Sequence, residues 1–129
     1  MSVTSWLKEF YPEAAEDSSE RLGDEPRLLT ELSLQKWKGR LPESLAKHEI
    51  EQTPLIFAAV NCTLCYQYSG CTECPLALSR GGVQCDEKTE EEEDDGVESP
   101  WERRVESPQP MIDALEATLV WLDTPEDER

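Results

Sequence analysis

Four cysteines near the middle of this 129-residue chain have the spacing of a metal site. Cys62 and Cys65 form one C-x-x-C pair, Cys71 and Cys74 form a second, and five residues including a serine-glycine turn separate the pairs. Two residues between thiolates let both sulfurs approach one ion at about 2.3 Å, and two such pairs complete a tetrahedral shell. The sequence therefore predicts that these four cysteines bind a metal ion.

The fifth cysteine and the identity of the metal leave alternatives open. Cys85 follows Gly81 and Gly82, which allow the chain to turn back, so it is an alternative ligand, and His48 is a further candidate. Zinc and iron–sulfur clusters are both held by cysteine thiolates. The Cys74-Pro75 pair resembles the end of a bacterial ferredoxin motif, but the spacing of two, five and two residues differs from the ferredoxin pattern. Zinc is the predicted cofactor, and an iron–sulfur cluster is the alternative.

A closed shell of four cysteines favours a structural role for the metal. A catalytic zinc ion usually keeps one position open for water, with three protein ligands. The sequence contains no P-loop, no G-x-G-x-x-G fingerprint, no nucleophile elbow and no deaminase zinc motif. We therefore expect a protein that is not an enzyme.

The strong negative charge limits the choice of partner. The formal net charge is −17, which disfavours nucleic acid and anionic membranes and favours a protein partner, in particular a basic or nucleic-acid-binding one. An alternative function is that of an acidic nucleic-acid mimic that inhibits a nuclease or a defence complex. A further alternative is a small nucleic-acid-binding zinc module, for which Trp37 would stack on bases beside the basic residues Arg27, Lys36, Lys38, Arg40 and Lys47.

The N-terminal sequence and the cysteine content predict a cytoplasmic protein. The chain opens MSVTSWLKEF, which lacks the basic start and the apolar run of a secretory signal. No apolar stretch approaches the roughly 18 residues that a membrane span needs. In a reducing cytosol, cysteines are metal ligands or free thiols more often than disulfides.

The elements that hold the cysteine loop are predicted to be mainly α-helical. We expect one small helical domain over 1–129, with a metal-stabilised irregular loop at 61–86 and one short strand at Leu55–Val60, whereas Glu13–Gly23 has the composition of a polar connector. Helices are predicted around Trp6 to Phe10, from Pro26 to a stop at Gly39, over Pro42–His48, and in a final segment with the apolar stripe Met111, Ile112, Leu115, Leu119 and Leu122.

The remaining features of the sequence are an acidic linker and two tryptophans. Segment 86–109 contains six consecutive acidic residues at Glu90–Asp95, a composition that predicts a flexible linker. Trp101 lies within this polar stretch, and Trp121 lies off the apolar stripe of the last helix. For both tryptophans, packing on the core is the favoured interpretation and partner binding is the alternative, because tryptophan is enriched at interface hot spots.

Taken together, four sequence stretches resemble a group of small zinc-binding-type proteins of bacteria and their phages. They are W-L-K-E-F-Y-P near the start, L-Q-K-W-K-G-R-L-P-E-S-L-A-K-H, the C-T-L-C and C-T-E-C-P-L motifs, and S-P-W before the last helix. The resemblance implies a phage or mobile-element origin and metal binding at the cysteines, and it implies no reaction. The function expected from the sequence is a zinc-binding interaction protein.

Overall fold

The computed structural model describes residues 3–51, 64, 67–68, 74–85 and 87–128 of the chain. Within these residues it contains seven α-helices and no β-strand, which confirms the predicted mainly α-helical class. The predicted strand at Leu55–Val60 lies outside the described residues, as do residues 61–63, 65–66, 69–73 and 86 of the predicted irregular cysteine loop. In the described part of that loop, Pro75–Ser79 forms a helix, so the prediction of irregular structure was wrong there. None of the described helices is both long and apolar enough to cross a bilayer.

The helices begin and end close to the predicted positions in four cases. The α-helices are α1 (Val3–Phe10), α2 (Ala15–Leu22), α3 (Pro26–Lys38), α4 (Pro42–Lys47), α5 (Pro75–Ser79), α6 (Glu90–Asp95) and α7 (Gln109–Asp123), with 3-10 turns at Glu102–Val105 and Glu126–Glu128. Helices α1, α3, α4 and α7 were predicted. Proline occupies one of the first two positions of α3, α4 and α7, where its missing N–H costs no helical hydrogen bond.

Helices α3 and α7 form the centre of the molecule. Arg27 near the start of α3 pairs with Asp123 at the end of α7, so opposite ends of the two helices lie together. Helix α5 packs on α7, where the hydroxyls of Ser79 and Thr118 are 2.9 Å apart. One hydrophobic cluster joins the three helices and consists of Leu29, Leu34, Trp37, Leu64, Cys74, Leu76, Ala77, Met111, Ile112 and Leu115.

Helix α1 lies against the end of α3 through a close contact at Gly39. The Trp6 side chain is buried, and its Nε1–H donates to the carbonyl oxygen of Gly39 over 2.7 Å. A Cβ atom at Gly39 would lie 2.7 Å from Cβ of Phe10, closer than real Cβ atoms approach. The absence of a side chain at Gly39 therefore allows α1 to pack here.

The prediction of a polar connector at Glu13–Gly23 was wrong. Helix α2 occupies most of this segment and contacts α3. Ser18 is buried and satisfies its hydroxyl by donating to the carbonyl oxygen of Ala14. The helix ends at Gly23, whose φ of 58° is readily adopted by glycine. Its composition is too polar to give a helical apolar stripe, which is why the pattern did not reveal it.

The predicted flexible linker at 86–109 also contains a helix. Thr89 and Glu92 form a capping box at the start of α6, in which the Thr89 hydroxyl accepts from the N–H of Glu92 while the Glu92 carboxylate accepts from the N–H of Thr89. Gly96 closes the helix in the left-handed conformation. These caps and an ion pair to Arg80 give local order that the acidic composition alone does not predict.

Candidate functional site

Two of the five cysteines lie in the described part of the chain. Cys74, a predicted ligand, directly precedes α5 and is buried in the hydrophobic cluster. Cys85, the alternative ligand, is half-buried against the same cluster, and its carbonyl oxygen accepts from the N–H of Trp101. Neither forms a disulfide. Cys62, Cys65 and Cys71 lie outside the described residues.

Leu64, which precedes Cys65 in the chain, is fixed at the centre of the molecule. Its side chain is 0% exposed, and its N–H donates to Oγ of Ser33 on α3 over 3.2 Å. Leu64 and Cys74 belong to the same hydrophobic cluster. Each C-x-x-C segment therefore has one residue in a single cluster between α3, α5 and α7.

Two further residues of the cysteine segment, Tyr68 and Gln67, form side-chain hydrogen bonds with Asp24 just before α3 and with Ser19 on α2. The Tyr68 hydroxyl donates to Oδ1 of Asp24, and the Tyr68 N–H donates to the carbonyl oxygen of Leu64 over 2.8 Å. The Ser19 hydroxyl donates to the side-chain oxygen of Gln67. Leu64 therefore contacts the middle of α3, whereas Tyr68 contacts the residue two positions before its start.

Two cations on α3 and just after its end are buried. Lys36 is 1% exposed and Arg40 is 5% exposed, whereas the nucleic-acid-binding alternative needs both at the surface. The Lys36 Nζ lies 5.5 Å from the centre of the Tyr11 ring, and the Arg40 guanidinium lies 4.7 Å from the Trp37 ring. Residues 33, 36 and 37 share one side of α3 because their spacing is three and four, whereas Arg40 follows the end of the helix. Charges withdrawn from water in this way are costly unless polar or anionic groups surround them.

The other basic residues of the nucleic-acid-binding alternative lie at the surface, and two of them form ion pairs. Arg27 pairs with Asp123, and Lys47 pairs with Glu9. Trp37 is 2% exposed, so its ring is closed to a base. Lys38 remains on the exposed side of α3.

The His48 side chain contacts helix α1. Its Nδ1 lies 2.9 Å from Oγ of Ser5, its Nε2 lies 3.4 Å from Glu9, and its ring meets Phe10 edge-on. A hydrogen bond from Lys47 is the main cause that lowers the pKa of Glu9. Among the residues that the structure describes, no three histidine, cysteine or acidic side chains are grouped to hold a metal ion. A site that uses the cysteines must include ligands from the segments outside that part.

Of the six acidic residues in α6, only Glu92 is partly buried. Glu92 accepts from the N–H of Thr89 over 2.9 Å and from Arg80 over 3.0 Å, with Arg103 3.7 Å away. Burial acts to raise the pKa of Glu92, but these donors outweigh it, so the pKa is lowered. The other acidic side chains of α6 are exposed; they are Glu90, Glu91, Glu93, Asp94 and Asp95. We call these five the α6 acidic surface.

A second acidic contact lies just after α6. A side-chain hydrogen bond with Glu98 is the main cause that raises the pKa of Glu102. Lys88 lies 3.6 Å from Glu98 and compensates part of its charge. The carboxyl groups of Glu98 and Glu102 are thus close enough to interact.

The two tryptophans of the partner-binding prediction are both partly buried. The Trp101 ring meets Trp37 at 6.0 Å in an edge contact and packs against the hydrophobic cluster, while the Arg104 guanidinium covers its ring at 4.0 Å. This contact agrees with the interpretation that Trp101 packs on the core. Trp121 lies near the end of α7, beside the exposed Val120.

Comparison of the chain with protein-family models, with curated proteins and with solved structures finds no match.

Proposed function

We propose that this chain is a non-enzymatic zinc-binding interaction protein in which Cys62, Cys65, Cys71 and Cys74 hold one zinc ion. The observation that carries the proposal is the common burial of Leu64 and Cys74, one residue from each C-x-x-C segment, in one cluster. One position of each segment therefore lies in the same cluster, which supports the proposal that the two pairs share one ion. An iron–sulfur cluster is the competing occupant of the same thiolates.

The proposed role of the ion is structural. When bound, zinc crosslinks the two pairs and contributes folding free energy to a small chain with a modest core. Four thiolates leave no position for water, so no reaction is assigned. Burial of Cys74 fits a closed site, because a reactive thiol is usually at least partly accessible.

Serine variants of two cysteines test the ligand set. We expect Cys71→Ser to lower zinc affinity strongly in a chelator competition assay, since it removes one of four thiolates. Cys85→Ser is the matched control, and it should bind zinc like the wild type. Loss of binding in Cys85→Ser with retention in Cys71→Ser would replace Cys71 by Cys85 in the site, and retention in both would contradict the four-cysteine proposal.

The proposed partner is a protein with a basic surface, in a phage-infected or bacterial cytoplasm. The α6 acidic surface supports this choice because its five exposed carboxylates are ordered on one short capped helix. Electrostatic complementarity of this kind mainly raises the association rate. In affinity capture, a variant with Glu90, Glu91 and Glu93 changed to Gln should recover less of any partner than the wild type.

A second candidate function is mimicry of nucleic-acid charge, which would inhibit a host nuclease or defence complex. The same ordered carboxylates favour it, since a mimic must present charges at fixed positions. Affinity for the target should then fall steeply between low and high salt, as phosphate contacts do. Affinity that is insensitive to salt would contradict mimicry. The nucleic-acid-binding alternative is not proposed, because Lys36, Arg40 and Trp37 are buried.

A further inference from the structure

We propose that a pocket bounded by α5, α6 and α7 binds a small zwitterionic molecule of the amino-acid class, with its carboxylate on Arg103 and its ammonium group on Asp113. The pocket has a volume of about 300 Å³, at the lower end of the range for small-molecule sites. The residues that line it include no cysteine and no histidine. This site is therefore independent of the proposed metal site.

The Arg103 side chain has hydrogen-bonding capacity that the described part of the chain does not use. Its Nε atom is buried and donates to no acceptor there. Its ion pair with Glu92 has a distance of 3.7 Å between Nη2 and Oε2, which is beyond hydrogen-bond range. A buried N–H without an acceptor is costly, and the edge of a guanidinium matches the two oxygens of a carboxylate. Arg103 therefore fits a carboxylate ligand.

The charges around the pocket favour a ligand without net charge. Arg80 and Arg103 bring two positive charges, and Glu92, 3.0 Å from Arg80, compensates one of them. Asp113 lines the same pocket, is exposed, and accepts from the neutral amide of Gln109 over 2.8 Å. A zwitterion would place an opposite charge beside both Arg103 and Asp113. An anion alone would be repelled by Asp113 and by the protein's net charge of −17.

The rest of the pocket suits a short hydrocarbon body between the two charged groups. Pro100, Pro110 and Ala114 line it and offer carbon surface. Arg80 is held in place because its guanidinium donates to the carbonyl oxygen of Glu87 and to the Glu92 carboxylate. Arg80 therefore positions Glu92, and Arg103 is the guanidinium that contacts the ligand.

The test uses straight-chain ω-amino acids, from glycine through β-alanine and γ-aminobutyrate to longer members. The series varies the separation of carboxylate and ammonium, so the best member reports the span between Arg103 and Asp113. Binding to the full-length protein is followed through the Arg103 Nε–H signal in NMR spectra, which is identified by its absence from Arg103→Lys. We expect at least one member to shift this signal in a saturable titration.

Ligands that lack one charge test each contact on the wild type. The fatty acid of the same length as the best zwitterion should bind about two- to fivefold more weakly, because water screens the exposed Asp113. The alkylammonium ion of that length should bind at least about tenfold more weakly, because it offers the buried Nε–H no acceptor.

Protein variants test the same contacts by calorimetry. Arg103→Gln should weaken binding of the best zwitterion by at least about tenfold, and Asp113→Asn by about two- to fivefold. Glu116→Gln is the matched control, because Glu116 is exposed on α7 and does not line the pocket. Its affinity should equal that of the wild type.

Three results would overturn the proposed site. The first is no saturable shift with any member of the series, and the second is tighter binding of inorganic phosphate than of every zwitterion. The third is an Arg103→Gln variant that binds like Glu116→Gln. Should Arg103→Gln fail to fold, the comparison of ligands on the wild type decides, and an alkylammonium ion that binds as tightly as the zwitterion would then contradict the role of Arg103.

Discussion

Glu92 is the carboxylate that links α6 to Arg80, and Glu92→Gln tests how much this contact stabilises the protein. The substitution keeps the size of the side chain and removes its charge. In the wild type, Glu92 accepts from the Thr89 N–H and from Arg80, and it lies near Arg103. Arg80 in turn donates to the carbonyl oxygen of Glu87, so one carboxylate links α6 to the turn after α5.

The expected loss of stability follows from the burial of the contact between Glu92 and Arg80. The Glu92 side chain is 14% exposed and that of Arg80 is 11% exposed, so water screens the pair less than it screens surface ion pairs. Hydrogen bonds to charged groups contribute about 1.5–3 kcal/mol each. Because glutamine retains one acceptor oxygen, we expect Glu92→Gln to lower the free energy of unfolding by about 1.5–3 kcal/mol at neutral pH, measured by urea denaturation.

The direction of the Glu92 pKa shift predicts how the stability effect of Glu92→Gln changes with pH. The folded-state pKa of Glu92 is lowered from 4.5, so its contribution to stability is fully present above the unfolded-state pKa and is lost as pH falls through the folded pKa. The stability difference between the wild type and Glu92→Gln should therefore shrink below about pH 4.5 and vanish once the carboxylate is protonated in both states.

Glu93→Gln is the matched control, because Glu93 is the exposed neighbour on the same helix. Its free energy of unfolding should lie within about 0.5 kcal/mol of the wild type, as for most surface changes. A Glu92→Gln effect equal to that of Glu93→Gln would refute the reasoning. So would a large effect that does not change between neutral and acid pH, since packing and not charge would then be its cause.

Two other predictions concern the core and the helix contacts. Leu115→Ala should lower the free energy of unfolding by about 2–5 kcal/mol in urea denaturation, because Leu115 is fully buried, whereas Val120→Ala at a site 69% exposed should have little effect. Gly39→Ala should cost about 1–3 kcal/mol because its Cβ would meet Phe10; an unchanged melting temperature would show that α1 moves freely away from α3.

The helices with apolar stripes were predictable because their pattern and their packing have the same cause. Met111, Ile112 and Leu115 recur at helical spacing, and all three are buried where α7 meets α3. Proline near the start of α3 and glycine after its end marked the boundaries of that helix. Here local sequence preference and tertiary burial agree, so the sequence alone sufficed.

Three helices escaped prediction: α5 lies within the segment predicted as an irregular loop, and the sequences of α2 and α6 lack an apolar stripe. Helix α2 presents a small buried serine to its neighbours in place of an apolar stripe. Helix α6 depends on the Thr89 and Glu92 caps and on Arg80, which is distant in sequence. The T-x-x-E pattern at Thr89 is a known N-terminal signal and was the one available cue for α6.

Less of the candidate site than of the helices could be predicted from the sequence. The C-x-x-C spacing alone led to the cysteine ligand set, which stays a prediction. Burial of Lys36 and Arg40 had no local signal, because nothing in the sequence distinguishes them from exposed basic residues such as Lys38. Their position depends on tertiary packing against Tyr11 and Trp37.

The most direct test of the metal site is elemental analysis, together with an absorption spectrum, of the protein purified without added metal or chelator. We predict one zinc per chain and no absorption in the visible region, because zinc has a filled d shell. A colourless protein without stoichiometric metal would contradict the site, and a brown protein containing iron would contradict zinc as its occupant.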